Sequence, residues 1–236
     1  RAHVALRPVA MRRPAVVVIA SERGLSGAFN DIVLDGAERL IAQQQLRSEE
    51  VLLVTLGARA TNYFRAHGRQ LLMAESLPVT RVAGLDLVVS LADALRALLE
   101  SGEVDAIQVI HSPYETAGVA APVMRRWLPV DATVLPNAAT RWPQPIIDSA
   151  PDVLLEGAIE AWALAQLYEM VMSSAASEQS ARFRAMDAAS TNLTRVVEDL
   201  TLAYHSARQH AITMEMLDLI AGAGILRGQR ERRGGA

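Results

Sequence analysis

Short apolar runs alternate with amphipathic stretches through residues 1–150, and a single periodic pattern then continues almost to the end of the chain. Pro14 to Ala20 is apolar at every position and rich in valine, which predicts a strand buried on both faces. A helix is predicted from about Ala28 to Gln45, with Phe29, Ile32, Val33, Ala37, Leu40 and Ile41 on one face. Val51 to Thr55 reads as a second strand and Arg59 to Ala66 as a short helix. Val88 to Leu99 is a helix with Leu91, Leu95, Leu98 and Leu99 at helical spacing, and Val104 to Ile110 is another buried strand. Residues 119–135 read as extended, with Pro122 and Pro129 at edges or bends. Strands alternating with helices predict an α/β fold, its sheet mostly parallel and flanked by helices on both faces.

The second pattern has no such punctuation. Proline is confined to residues up to Pro151, and Gly157, Gly222 and Gly224 are the only glycines between there and residue 227. One helix is predicted from about Asp152 to Ala221, which at ~1.5 Å per residue would be roughly 105 Å long and must project from a compact domain. An apolar seam follows alternating steps of three and four through Met186, Ala189, Leu193, Val196, Leu200, Ala203, Ala207, His210, Met214, Leu217 and Ala221. Only His210 breaks it, over roughly five heptads, as in half of a coiled coil. Polar residues such as Arg182, Arg195, Glu198, Asp199 and Arg208 lie off the seam. Such a stripe has to be covered, and residues 1–150, committed to the α/β unit, supply no second long helix. The expected organisation is therefore an α/β domain (1–150), a long coiled-coil helix (151–226) and a disordered arginine-rich tail (227–236).

Composition removes several chemistries. The formal net charge of −3 gives no reason to expect nucleic acid as a partner. With no cysteine, disulfides, thiolate metal sites and cysteine nucleophiles are excluded. All 23 basic side chains are arginine, so neither a lysine Schiff base nor a P-loop lysine exists. Apolar runs are too short to span a bilayer, so membrane association is expected through partners, without direct insertion.

The remaining motifs are weak as chemistry. Ser21 to Asn30, SERGLSGAFN, sits where a phosphate-binding turn would follow the first strand, but Gly24 and Gly27 give only G-x-x-G. Ser26, His67, His111 and Asp105 could supply a triad, yet no nucleophile elbow is present. His205 and His210 are five apart and do not make an i, i+4 metal pair, while Glu49-Glu50 and Glu198-Asp199 are adjacent rather than facing. No catalytic, cofactor-binding or metal residue is expected. A nucleotide-binding α/β enzyme with a helical oligomerisation arm is the competing reading.

Two segments carry a resemblance. Ser21 to Asn30 is similar to the [ST]-[DE]-R-G-L-x-G-x-[FY]-N turn of the gamma subunits of F-type ATP synthases. Ser174 to Arg182, Met186 to Ala189, Asp199 to Leu202, Ala207 to Thr213 with Glu215, and Ala221 to Ala223 resemble that family's C-terminal helix in order and spacing. The resemblance implies a Rossmann-like foot domain and a rotor shaft without catalysis of its own, bacterial and peripheral on the cytoplasmic face of the inner membrane. Its implied partners are the alpha and beta subunits around the shaft, and the epsilon subunit and membrane rotor ring at the foot. Arg208, Gln209 and Thr213 match positions that touch a beta subunit, and Glu215 lies beside them. The mate of the seam would be the family's N-terminal helix, which would precede Arg1. A variant ATPase pumping Na⁺ or H⁺ and a truncated remnant are the alternatives within the family, the first prompted by the arginine-rich tail.

Overall fold

The computed structural model describes residues 11–47, 50–78, 83–115, 118–119, 121–130 and 150–233. Two compact units divide between Ala185 and Met186.

In the first unit, β1 (Pro14–Ile19) is the central strand. It pairs in parallel with β2 (Leu52–Leu56) on one side and with β4 (Ala106–His111) on the other. β3 (Leu71–Glu75) extends the sheet in parallel beyond β2, and β7 (Val123–Leu128) closes the far edge antiparallel to β4. The order is β3-β2-β1-β4-β7, with β5 (Tyr114–Glu115) and β6 (Gly118–Val119) forming a separate small ribbon. The expected extended segment is thus partly β6 and β7, while residue 120 and residues 131–135 of it, like Glu49, lie outside the described residues.

The apolar runs have a direct cause. Val16 and Val18 point to one face, where Phe29, Val33, Ala37 and Ile41 of α1 (Phe29–Gln45) and Ala60 and Phe64 of α2 (Ala58–Ala66) cover them. Ala15, Val17 and Ile19 point to the other, against Val88, Leu91, Leu95 and Leu99 of α3 (Leu85–Glu100). A strand covered on both faces favours apolar residues at successive positions, and all six residues of β1 are buried.

The long helix α4 runs from Pro151 to Arg233. The expected tail boundary at residue 227 therefore falls within a continuous helix, and residues 234–236 lie outside the described residues. The first part of α4 does not project. Ile159, Ala163, Leu167, Met170, Ser174, Ser177 and Ala181 are buried at steps of three and four, so this stretch belongs to the sheet unit. Trp127 of β7 is buried against it and donates from Nε1 to the Ala163 carbonyl at 2.7 Å.

β3 and β5 have no counterpart in the sequence reading. LLMAE contains no β-branched residue and its side chains are only half-buried or exposed, so neither propensity nor pattern marks it.

Candidate functional site

The turn after β1 lies at the point where the strand order reverses, the place where nucleotide-binding folds hold phosphate. Here the turn is braced by its own side chains. Ser21 donates from its amide (3.2 Å) and its hydroxyl (2.8 Å) to Asn30 Oδ1, and Asn30 Nδ2 donates to Ser26 Oγ at 2.9 Å. Glu22 Oε2 accepts the amide of Ala58, the first residue of α2, at 3.0 Å and that of Leu77 at 2.9 Å. A carboxylate thus occupies the anion position at a helix N-terminus and ties the loops that follow β2 and β3 to this turn. Gly27 has φ +56°, and a Cβ there would come within 3.3 Å of Ala185 Cβ. Leu25 takes a positive φ of 64° and leaves its side chain exposed.

The candidate triad is not assembled. Ser26 accepts from Asn30, Asp105 Oδ2 accepts the amides of Arg12 and Arg13, and His67 Nδ1 lies 2.8 Å from the Tyr63 carbonyl. His111, at the end of β4, is buried with neither ring nitrogen hydrogen-bonded. Burial, then the nearby Arg125 guanidinium, lowers its pKa to about 4. No cluster of potential metal ligands occurs among the described residues.

The second unit is the other candidate. Met186, Leu193, Val196, Leu200, Met214 and Leu217 are all large, apolar and exposed, from 38% at Val196 to 64% at Leu200. Ala203 and Ala207 on the same seam are exposed as well. Covering one such leucine would contribute about 1 to 2 kcal/mol, so the seam as a whole holds on the order of 10 kcal/mol of unused hydrophobic free energy. The threonine hydroxyls of this segment, by contrast, are already satisfied within the helix: Thr191, Thr194, Thr201 and Thr213 each donate to the carbonyl four residues back.

Counted backwards in the same steps, the seam continues through Arg182, Gln179, Ala175, Met172 and Tyr168. This stripe is distinct from the one packed on the sheet. Met172, Ala175, Gln179 and Arg182 line a cleft of about 620 Å³, with Ile19, Glu22 and Leu77 on its other wall. The signal was present in the sequence, but a small alanine and two polar residues hide it there.

Arg208, Gln209, Thr213 and Glu215 are exposed on α4. Helical geometry places Arg208 and Glu215 on one face, and Gln209 and Thr213, four residues apart, on another. Thr213 Oγ1 donates to the Gln209 carbonyl at 2.9 Å, which leaves an acceptor oxygen and the Gln209 amide for an outside partner.

A family model described as ATP synthase matches residues 1–226. The ATP synthase gamma chain of Frankia casuarinae is 34% identical over 220 residues, covering 91% of this chain and 74% of that one. The gamma chain of an Anaeromyxobacter species is 32% identical, covering 96% of this chain and 77% of its own length. Among solved structures, a chain of the Euglena gracilis mitochondrial ATP synthase superposes with a TM-score of 0.64 at 15% identity, over 93% of this chain and 74% of that one. A chain from the central stalk and c-ring of the Tetrahymena thermophila enzyme gives 0.60 at 18% identity, over 78% and 79%. The fold is shared with both. A mostly parallel sheet, a long helix with an uncovered heptad seam, and this extent of sequence agreement place the chain in the ATP synthase gamma-chain family.

Proposed function

We propose that this protein is the central-stalk rotor subunit of a proton-translocating F-type ATP synthase, non-catalytic itself, whose rotation changes the conformation of the catalytic beta subunits. The observation that carries the reading is the exposed seam from Met186 to Leu217, apolar side chains at heptad spacing that a functioning molecule has to cover. In this reading an antiparallel helix takes the seam, and the remaining faces of α4 meet the alpha and beta subunits. The sheet unit is the foot, in contact with the epsilon subunit and the membrane rotor ring.

The mechanism is differential contact. A rotor biases a catalytic site only if its faces bind the site's conformations unequally. In this reading the α4 surface meets that requirement with an apolar stripe, the pair Arg208 and Glu215 on a second side, and the uncharged pair Gln209 and Thr213 on a third. As α4 turns, a beta subunit would meet these surfaces in sequence. Arg208, Gln209, Thr213 and Glu215 are proposed as direct beta-subunit contacts.

The reading places the protein on the cytoplasmic face of a bacterial inner membrane, held there by partners. Bacterial relatives support this, and no helix among the described residues is long and apolar enough to cross a membrane. The test is co-expression of the full-length protein with the alpha and beta subunits of its own organism. Recovery of a complex with ATPase activity that depends on this chain is expected. Tight ATP binding by the chain alone, together with failure to join that complex, would point to the competing enzyme reading instead.

A further inference from the structure

Arg182 stands where the backward extension of the seam calls for an apolar residue, between Ala175 and Met186. Its guanidinium is instead turned inward. Nη1 donates to the Gly24 carbonyl at 2.7 Å, while Nη2 pairs with Glu178 one helical turn earlier. Both side chains are largely withdrawn from water, at 26% and 13% exposure. Burial raises the pKa of Glu178, opposed by its bond to Arg182 and assisted by the charge of Glu22. Gly24 belongs to the turn that Asn30 and Ser26 brace from within and that Glu22 fastens to the loops after β2 and β3. Close beside it, Gly27 meets Ala185, the last residue of the sheet unit.

We propose that Arg182, Glu178 and the Ser21–Asn30 turn form a latch that fixes α4 to the sheet at the final turn of its packed segment, so that torque passes between foot and helix without slipping. Arg182 is a positioning residue in this scheme. Earlier in the packed segment the Trp127–Ala163 hydrogen bond and the Arg96–Glu160 ion pair already pin α4. Its last turn before Met186, however, meets the sheet unit through the small side chains of Ala181 and Ala185, which offer little resistance to rotation of the helix about its own axis. A directional hydrogen bond from a charged donor on the helix to the backbone of a braced turn supplies that resistance. The role in torque rests on the rotor reading; the latch itself does not.

Two measurements separate them. In the full chain alone, hydrogen exchange should become about tenfold faster in peptides covering residues 21–30 and 178–185 on Arg182→Gln, the scale for losing one charge-assisted hydrogen bond. β1 and β4 should be unaffected, and Arg182→Lys should restore part of the protection. Unchanged exchange at the turn overturns the latch. In the assembled complex, Arg182→Gln should lower the ratio of ions pumped to ATP hydrolysed by about fivefold, a typical coupling magnitude. A merely structural role would reduce pumping and hydrolysis together, and an unaltered ratio overturns the torque assignment. Failure of the unsubstituted chain to assemble would defeat the rotor reading while the exchange result still decides the latch.

Discussion

Two single residues show how much of this molecule depends on local chemistry. Gly57, in the loop between β2 and α2, has φ +99°, and a Cβ there would sit 2.3 Å from the Ala20 carbonyl oxygen. Gly57→Ala must strain the backbone and displace the end of β1, at an expected cost of about 3 kcal/mol, measured by urea unfolding. Gly24 has open space around it, so its substitution by alanine should cost far less. The sequence motif drew attention to Gly24 and Gly27 and passed over Gly57, because the steric need arises from a neighbouring strand that a linear pattern does not contain. His111 gives a pH prediction. Burial, then Arg125, holds it neutral in the folded state with a pKa near 4, below the ordinary 6.5 of the unfolded chain. The unfolded chain therefore binds more protons between those values, and stability should be full above pH 6.5 and fall towards pH 4. The loss across that window should be a few kcal/mol. His111→Gln should flatten the dependence. An unchanged slope would mean other groups set it.

At the scale of elements, α4 carries two stripes with different legibility. The seam of large residues from Met186 onward stands out in the sequence because leucine, valine and methionine recur against polar surroundings. The stripe packed on the sheet does not, since it mixes Ala163, Ser174, Ser177 and Ala181 with Leu167 and Met170. This is why the helix reads from sequence as leaving the domain at its start, whereas one face of it from Ile159 to Ala181 is buried. β1, β2 and β4 were legible for the opposite reason, being dominated by consecutive apolar residues; β3, an edge strand with exposed Glu75, offered no pattern. The seam makes a sharp prediction. Leu200 is 64% exposed, so Leu200→Asp should leave the thermal unfolding of the isolated chain unaltered within about 0.5 kcal/mol. It should nevertheless abolish or strongly weaken assembly with alpha and beta subunits. Arg195→Asp, off the seam, should assemble nearly as well as the unsubstituted chain. Equal effects of the two substitutions on co-purification would show that the covered face of α4 is not this one.

The whole molecule combines a unit with two buried cores and a unit whose large apolar side chains from Met186 to Ile220 are exposed. Its stability should therefore be uneven. In the sheet unit, opening the backbone requires giving up packing on both faces of β1 and along Ile159 to Ala181. From Met186 on, local opening costs little beyond helix propagation, because tertiary burial provides most of the stability of natural helices. Arginine is the chain's only basic side chain, so trypsin is a convenient probe of the difference. Arg195 and Arg208 lie on the exposed helix, whereas Arg182 is held by Glu178 and Gly24. Dilute isolated protein should be cut first after Arg195 and Arg208, leaving a resistant core that retains β1 to β7 and the packed part of α4. Within an assembled complex the same two bonds should become resistant, since cleavage then waits on dissociation rather than on local opening. The order matters more than the absolute rates. Early cleavage inside the sheet unit would contradict the two-core account. Protection of Arg195 and Arg208 in the dilute chain would mean the seam is already covered without any other subunit, and would remove the reason for assigning it to a rotor.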